Sequence, residues 1–194
     1  MQQFFSALDL LGMLATDPRM VSLLLLVAVA AVIDLRTYRI PNWLTFTGIA
    51  LGLVINTITP SMLHQGFWWA ATGVLLGFVM ALPLYLLRVM GAGDVKLIAM
   101  VGAFLGASGT IYAVLCIFII GGVAAVLYAA THKLFSPMLT NVKAIAQQAV
   151  LSSIGGLAPT LEMKLSQSIG KLPYGVSIAV GTFFYVVANQ LGYC

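Results

Sequence analysis

The strongest constraint on this chain is a succession of apolar runs, each close to the length that crosses a bilayer as a helix. Residues 20–33 carry no charge, and the run stops at Asp34. Further runs occupy about 43–58, 67–87, 95–105, 110–130 and 172–191. A crossing takes about 20 apolar residues, so the chain has room for about six helices and little else. Composition agrees, since 61% of residues are hydrophobic and 7% charged, against about 25% charged in soluble domains. The expected fold class is all-α, a polytopic membrane protein with about six transmembrane helices. Residues 1–194 are read as a single integral membrane domain.

The segments between the runs read as follows. Residues 1–18 place Phe4, Phe5, Leu8 and Leu11 at helical spacing beside Asp9 and Asp17, which suits a helix lying at the membrane interface. The first span is short and can cross if its flanks snorkel or the bilayer thins. Residues 34–42 (DLRTYRIPN) form a polar connector closed by Pro41. Thr59, Pro60, Ser61, His64 and Gln65 mark a turn, and Trp68 and Trp69 an interfacial anchor. Pro83 should kink the third span, and residues 106–109 should form a tight turn between the fourth and fifth.

Residues 131–171 are the long polar stretch. Val142, Ile145, Ala146, Ala149 and Val150 repeat as a surface helix, and Ser152, Ser153, Gly155, Gly156 and Pro159 follow as a flexible loop. If the connector after Asp34 is cytoplasmic, six alternating spans place Arg36, Arg39, Arg88, Lys96, Lys133, Lys143, Lys164 and Lys171 inside and leave Arg19 outside. That is the bias of the positive-inside rule. The net charge of +4 then reflects topology, and nucleic-acid binding is not expected. Cys116 and Cys194 offer neither a disulfide framework nor a CxxC site. The N-terminus lacks a basic region and an Ala-x-Ala site, so it is not read as a removable signal peptide.

The sequence holds five Asp and Glu residues, and two of them organise the reading. Met90-Gly91-Ala92-Gly93-Asp94-Val95-Lys96 is a glycine-rich turn that delivers Asp94 to the head of an apolar run. Taken alone, Asp94 could equally be a helix N-cap. Asp34 stands at a helix C-terminus, where the macrodipole disfavours negative charge, and its natural ion-pair partners, Arg36 and Arg39, could sit in a loop with no need for Asp34 at that depth. Threading six spans brings both acids to the same depth at one membrane face. Acids in or near a bilayer are costly and point to function.

Two close carboxylates cannot both ionise easily, so one retains its proton. The ionised member takes a proton from water, the protonated one hydrogen-bonds the scissile carbonyl, and the roles reverse as the amine leaves. This is aspartyl-peptidase chemistry and calls for no metal or cofactor. There is no HExxH, and Gly106-Ala107-Ser108-Gly109 does not match GxSxG.

The GAGD turn, Asp34 with its basic connector ending Ile40-Pro41-Asn42, and Leu172-Pro173-Tyr174-Gly175 at the head of the last span together resemble the type IV prepilin peptidases, members of the GxGD intramembrane aspartyl proteases. The resemblance covers nearly all of the chain after the first 20 residues. It implies the GxGD aspartyl protease fold and removal of a short basic leader from prepilin or pseudopilin subunits at the cytoplasmic face of the inner membrane. Asp34 and Asp94 match the family's catalytic aspartates, Gly91 and Gly93 match its turn, and Lys96 follows the turn. Long members also carry a cytoplasmic domain with paired cysteines and methylate the new N-terminus. Here the first span leads directly into the connector, so peptidase activity without methyltransferase activity is expected. The layout looks like the short enzymes of tight-adherence (Flp-type) pili or archaeal preflagellin peptidases.

Glu162 could help recognise a basic leader, and the amphipathic stretch from Val142 to Val150 with the loop to Lys171 could gate substrate entry. Gly48-x-x-x-Gly52, Gly73-x-x-x-Gly77 and Gly102-x-x-x-Gly106 fit close helix approach within the bundle and also leave open a homodimer. His64 and His132 read as solvated connector residues. The rival class is a proton- or ion-coupled transporter using intramembrane carboxylates, which requires acids near the midplane and discontinuous helices in corresponding halves.

Overall fold

A computed structural model describes residues 17–58, 66–87, 89–131 and 173–192. Among the described residues the chain is all-helical, with five helices and no strand: α1 (Pro18–Thr37), α2 (Asn42–Ile58), α3 (Phe67–Leu86), α4 (Ala92–Thr131) and α5 (Tyr174–Gln190). Three of them, α1, α3 and α4, are long and apolar enough to cross a membrane. The expected interfacial helix at 1–16, the turn at 59–65 with His64, the loop at 132–171 with its surface helix and His132, and the basic residues Arg88, Lys133, Lys143, Lys164 and Lys171 lie outside the described residues.

Helix α1 begins two residues earlier than its apolar run suggests. Asp17 caps it, accepting a hydrogen bond from the Arg19 backbone N–H at 3.0 Å, and Pro18 fits the first turn because its missing N–H would have been unpaired there. The buried residues Leu23, Val27, Ala30 and Asp34 follow one helical stripe. Asp34 therefore continues the inward face. The helix runs on to Thr37 and closes at Tyr38, which adopts a left-handed conformation (φ 51°) while its N–H bonds the Asp34 carbonyl at 2.8 Å. The polar connector is thus shorter than residues 34–42 suggest, and Asp34 sits inside a helix rather than after one.

Small residues let the helices approach one another. On α3 the buried positions are Ala70, Gly73, Gly77 and Ala81, a small-residue stripe at helical spacing. A side chain at Gly77 would stand 2.8 Å from the Ile98 carbonyl oxygen, and one at Gly73 would strike the Gly102 carbonyl. On α2, Gly48 faces Met100, and Gly52 faces Ala103 and Phe104. All three GxxxG pairs are therefore spent on contacts inside the bundle.

One backbone break divides α4. Gly106 is non-helical, with φ 65° and ψ −178°, a conformation that favours glycine. A Cβ at Gly102 would lie 3.2 Å from Thr110 Oγ1, whereas eight residues of straight helix rise about 12 Å. The chain therefore turns back on itself at Gly106. The expected four-residue turn at 106–109 contracts to this single position, because the helix resumes at once, and the Thr110 hydroxyl donates to the Gly106 carbonyl. Pro83 lies within α3, which continues through it to Leu86.

The returning arm packs on α5. A Cβ at Gly181 would meet Ile117 Cα at 2.6 Å, and one at Gly109 would meet the Tyr185 hydroxyl at 2.9 Å. Residues 122–131, the described part of segment 122–172, form the end of α4. At the end of the bundle remote from Asp34, the buried Asn56 donates to the carbonyls of Gly52 (2.9 Å) and Ala103 (3.0 Å). Arg19, paired with Asp17 at 3.1 Å, also reaches Asn56 Oδ1.

Because Gly102 abuts α3 backbone, Gly102→Val should lower the thermal unfolding midpoint in detergent, at an overpacking cost of about 1–3 kcal/mol. Among the described residues nothing lies within 4 Å of a Cβ at Gly122, and helix interiors favour alanine over glycine, so Gly122→Ala should not lower the midpoint. Equal behaviour of the two variants would show that the small-residue stripe does not set the packing.

Candidate active site

Three chain segments meet at one end of the bundle: the last turn of α1, the turn before α4 and the head of α5. Asp34 arrives on the buried stripe of α1 and is 4% exposed. Its Oδ2 accepts a hydrogen bond from the Gly175 backbone N–H at 2.8 Å, across a sequence separation of 141 residues. Gly175 is the second residue of α5, where backbone N–H groups have no partner within the helix. The carboxylate therefore caps a different helix from its own. The positive end of the α5 dipole offsets the unfavourable end of α1.

This contact also explains why position 175 holds glycine. A Cβ there would stand 2.9 Å from both Cβ and Oδ2 of Asp34. Arg36 and Arg39 are exposed, and the salt bridge found among the described residues joins Arg19 and Asp17. The Asp34 carboxylate is met by the backbone of α5.

Asp94 is 9% exposed and lies in the first turn of α4, which starts at Ala92. Its Oδ2 accepts from the Gly91 N–H at 3.0 Å. This is the reach-back half of a capping box, with the acid at the third helical position rather than at the N-cap. The glycines of the turn serve proximity, since neither Gly91 nor Gly93 has positive φ. A Cβ at Gly91 would crowd Asp94 Oδ2 at 3.2 Å, and one at Gly93 would meet Ile40 Cβ at 3.2 Å and the Ile40 carbonyl at 3.4 Å.

The connector after α1 is thereby pressed onto the turn before α4. Lys96 fastens it further, donating to Asn42 Oδ1 at 2.8 Å with its ammonium 5.3 Å from the centre of the Phe46 ring. These ties bring Asp34 and Asp94 to one end of the bundle. Asp94 lies in the electrostatic field of Asp34, and the Tyr174 phenol lies in that of Asp94. Among the described residues no group of three or more His, Cys, Asp or Glu side chains is placed to hold a metal ion. The arrangement offers two buried carboxyl groups at one end of the bundle, each with one backbone donor.

A family model for the type IV leader peptidases matches residues 21–126, more than half of the chain. The chain belongs to the type IV leader peptidase family. No curated protein and no solved structure matches it. Family membership makes the protein a peptidase that acts in a membrane, with prepilin-type substrates as its class. The matched region contains Asp34, Gly91, Gly93, Asp94 and Lys96, while the third corner of the site, at Tyr174 and Gly175, lies beyond it.

Reading the acids alone misses three features of this leader peptidase. The Asp34–Gly175 bond cannot be seen in spacing, although the Pro173-Tyr174-Gly175 run marks its helix. Tyr174 shares that end of the bundle as the first residue of α5. Asn56 is an amide inside an apolar run, a signal equal in kind to that of the aspartates, and it serves to join α2 to α4. Glu162 lies outside the described residues.

Asp34→Asn keeps an oxygen that can accept from Gly175, whereas Asp34→Leu strands a buried N–H at a cost of about 1–3 kcal/mol. Thermal unfolding in detergent should therefore rank wild type close to Asp34→Asn, and both above Asp34→Leu and Gly175→Ala. If Asp34→Leu is as stable as Asp34→Asn, the cap contributes nothing.

Proposed function

We propose that Asp34 and Asp94 are the catalytic pair of an aspartyl endopeptidase that removes the short basic leader from prepilin or pseudopilin subunits at the cytoplasmic face of the inner membrane. The observation that carries this reading is the burial of two acids, from helices far apart in sequence, at one end of a bundle whose family is that of the type IV leader peptidases. A transporter would need its acids near the middle of the membrane. In this reading α1, α2, α3, the two arms of α4 and α5 make six crossings of a GxGD-type fold. Arg36, Arg39 and Lys96 share the end that bears the acids, and Arg19 lies at the other, the pattern of a cytoplasmic site.

The chemistry follows from one shared proton. The ionised carboxylate of the pair removes a proton from a water molecule as its oxygen attacks the scissile carbonyl carbon. The protonated partner donates to the carbonyl oxygen, so the developing charge is met by a hydrogen bond. The tetrahedral intermediate then collapses as the amine nitrogen takes a proton, and the pair returns to its starting state. Backbone donors at Gly175 and Gly91 hold the two carboxylates without adding a titrating group.

The connector joins α1 to α2 over four residues, which supports peptidase activity without methylation of the product. The loop at 131–171, with Glu162, is proposed to meet the basic leader.

The test uses purified protein and a peptide carrying a basic leader followed by an apolar segment. Asp34→Asn and Asp94→Asn should each reduce cleavage to the level without enzyme while unfolding stays cooperative. Wild-type rates should follow a bell-shaped pH profile whose two limbs belong to the pair. Cleavage that persists in either variant would remove the dyad from the mechanism.

A further inference from the structure

The segment that joins α1 to α2, residues 38–41, is held at both of its ends. At the α1 end the Tyr38 N–H bonds the Asp34 carbonyl at 2.8 Å, and the Thr37 hydroxyl donates to the Arg39 carbonyl at 3.0 Å. Pro41 restricts one more backbone angle before α2 begins. The segment is therefore a short strut tied to the residue that bears one of the acids. Its other end is fastened to α4, the helix that bears the second. Ile40 lies against the turn, where a Cβ at Gly93 would stand 3.2 Å from Ile40 Cβ. Two residues on, Asn42 Oδ1 accepts a hydrogen bond from Lys96 Nζ at 2.8 Å, across 54 positions of sequence. These two contacts straddle Asp94, one on the residue before it and the other two residues after.

We propose that Asn42 and Lys96 are a positioning pair, a clasp that sets where Asp34 on α1 stands relative to Asp94 on α4. A lysine kept at a membrane surface by its charge alone would extend its ammonium to water. This one turns to the neighbouring helix, where it meets the Asn42 amide and lies 5.3 Å from the centre of the Phe46 ring, both on α2. The hydrogen bond is charge-assisted and so stronger than one between neutral groups. Neither side chain reacts; the pair acts through the backbone segments it joins.

The inference rests on Asp34 and Asp94 being the catalytic pair, and the experiment separates the two ideas. It measures cleavage of the leader peptide by the purified full chain. Lys96→Met keeps the apolar stem and removes the donor, while Asn42→Leu keeps the side-chain shape and removes the acceptor. Each should lower kcat roughly 3- to 10-fold, the weight of one hydrogen bond outside the core, and leave KM unchanged. The double variant should be no slower than the slower single one, because the second substitution removes a contact already lost. Asn42→Asp, which keeps an oxygen for Lys96, should restore the rate.

A contact that only stabilises the fold would shift the unfolding midpoint and leave kcat per folded molecule at the wild-type value. That result, or losses that multiply in the double variant, overturns the clasp and, with Asp34→Asn and Asp94→Asn inactive, leaves the dyad standing. Activity in the aspartate variants overturns both. Should Lys96→Met fail to fold, the two Asn42 variants decide. A deficit in Asn42→Leu that is absent from Asn42→Asp supports the clasp, and equal rates in the two overturn it.

Discussion

A carboxylate placed among packed helices must find donors, because burial removes the water that would otherwise solvate it. Here Asp34 finds one on the last helix of the bundle, through the 2.8 Å bond from Gly175. Much of the architecture is consistent with that need. The inward stripe of α1 ends on Asp34, α5 begins where its second N–H can reach the acid, and position 175 can carry no side chain. Asp94 solves the same problem locally, by turning back to the N–H three residues earlier. One acid thus binds the bundle together, and the other binds only its own turn.

Glycine does two distinct jobs in this molecule. At Gly106 it supplies a backbone conformation that reverses the chain. At Gly73, Gly77, Gly102 and Gly181 it supplies nothing but absence, allowing helix backbones to touch. Lipid offers no hydrophobic force to press helices together, so close backbone contact and a few buried amides such as Asn56 supply the cohesion. The glycines of the GAGD turn belong to the second kind. They let Ile40 and the Asp94 carboxylate come close, which draws the connector of α1 down onto the start of α4.

The class of fold and the burial of both acids could be expected from sequence because each leaves a local mark: apolar runs without charge, and acids where acids are costly. The stripe Leu23, Val27, Ala30, Asp34 was equally legible as a period and shows why Asp34 points inward. Boundaries were less so. Asp34 seemed to end a helix because charge begins there, yet α1 needs another turn before Tyr38 can close it. Residues 106–109 seemed to form a turn because small residues cluster there, while a single positive φ suffices. The partner of Asp34 lay beyond reach, since a backbone N–H carries no sequence signature and 141 residues separate the two.

That separation has a consequence for biosynthesis. A ribosome emits the N-terminal acid long before the residue whose amide secures it, so the early helices enter the bilayer with that carboxyl group unsatisfied. Only when the final helix inserts can that end of the bundle acquire its finished shape. The proposed active site is therefore completed late in assembly, and a nascent chain stalled short of that helix would lack it.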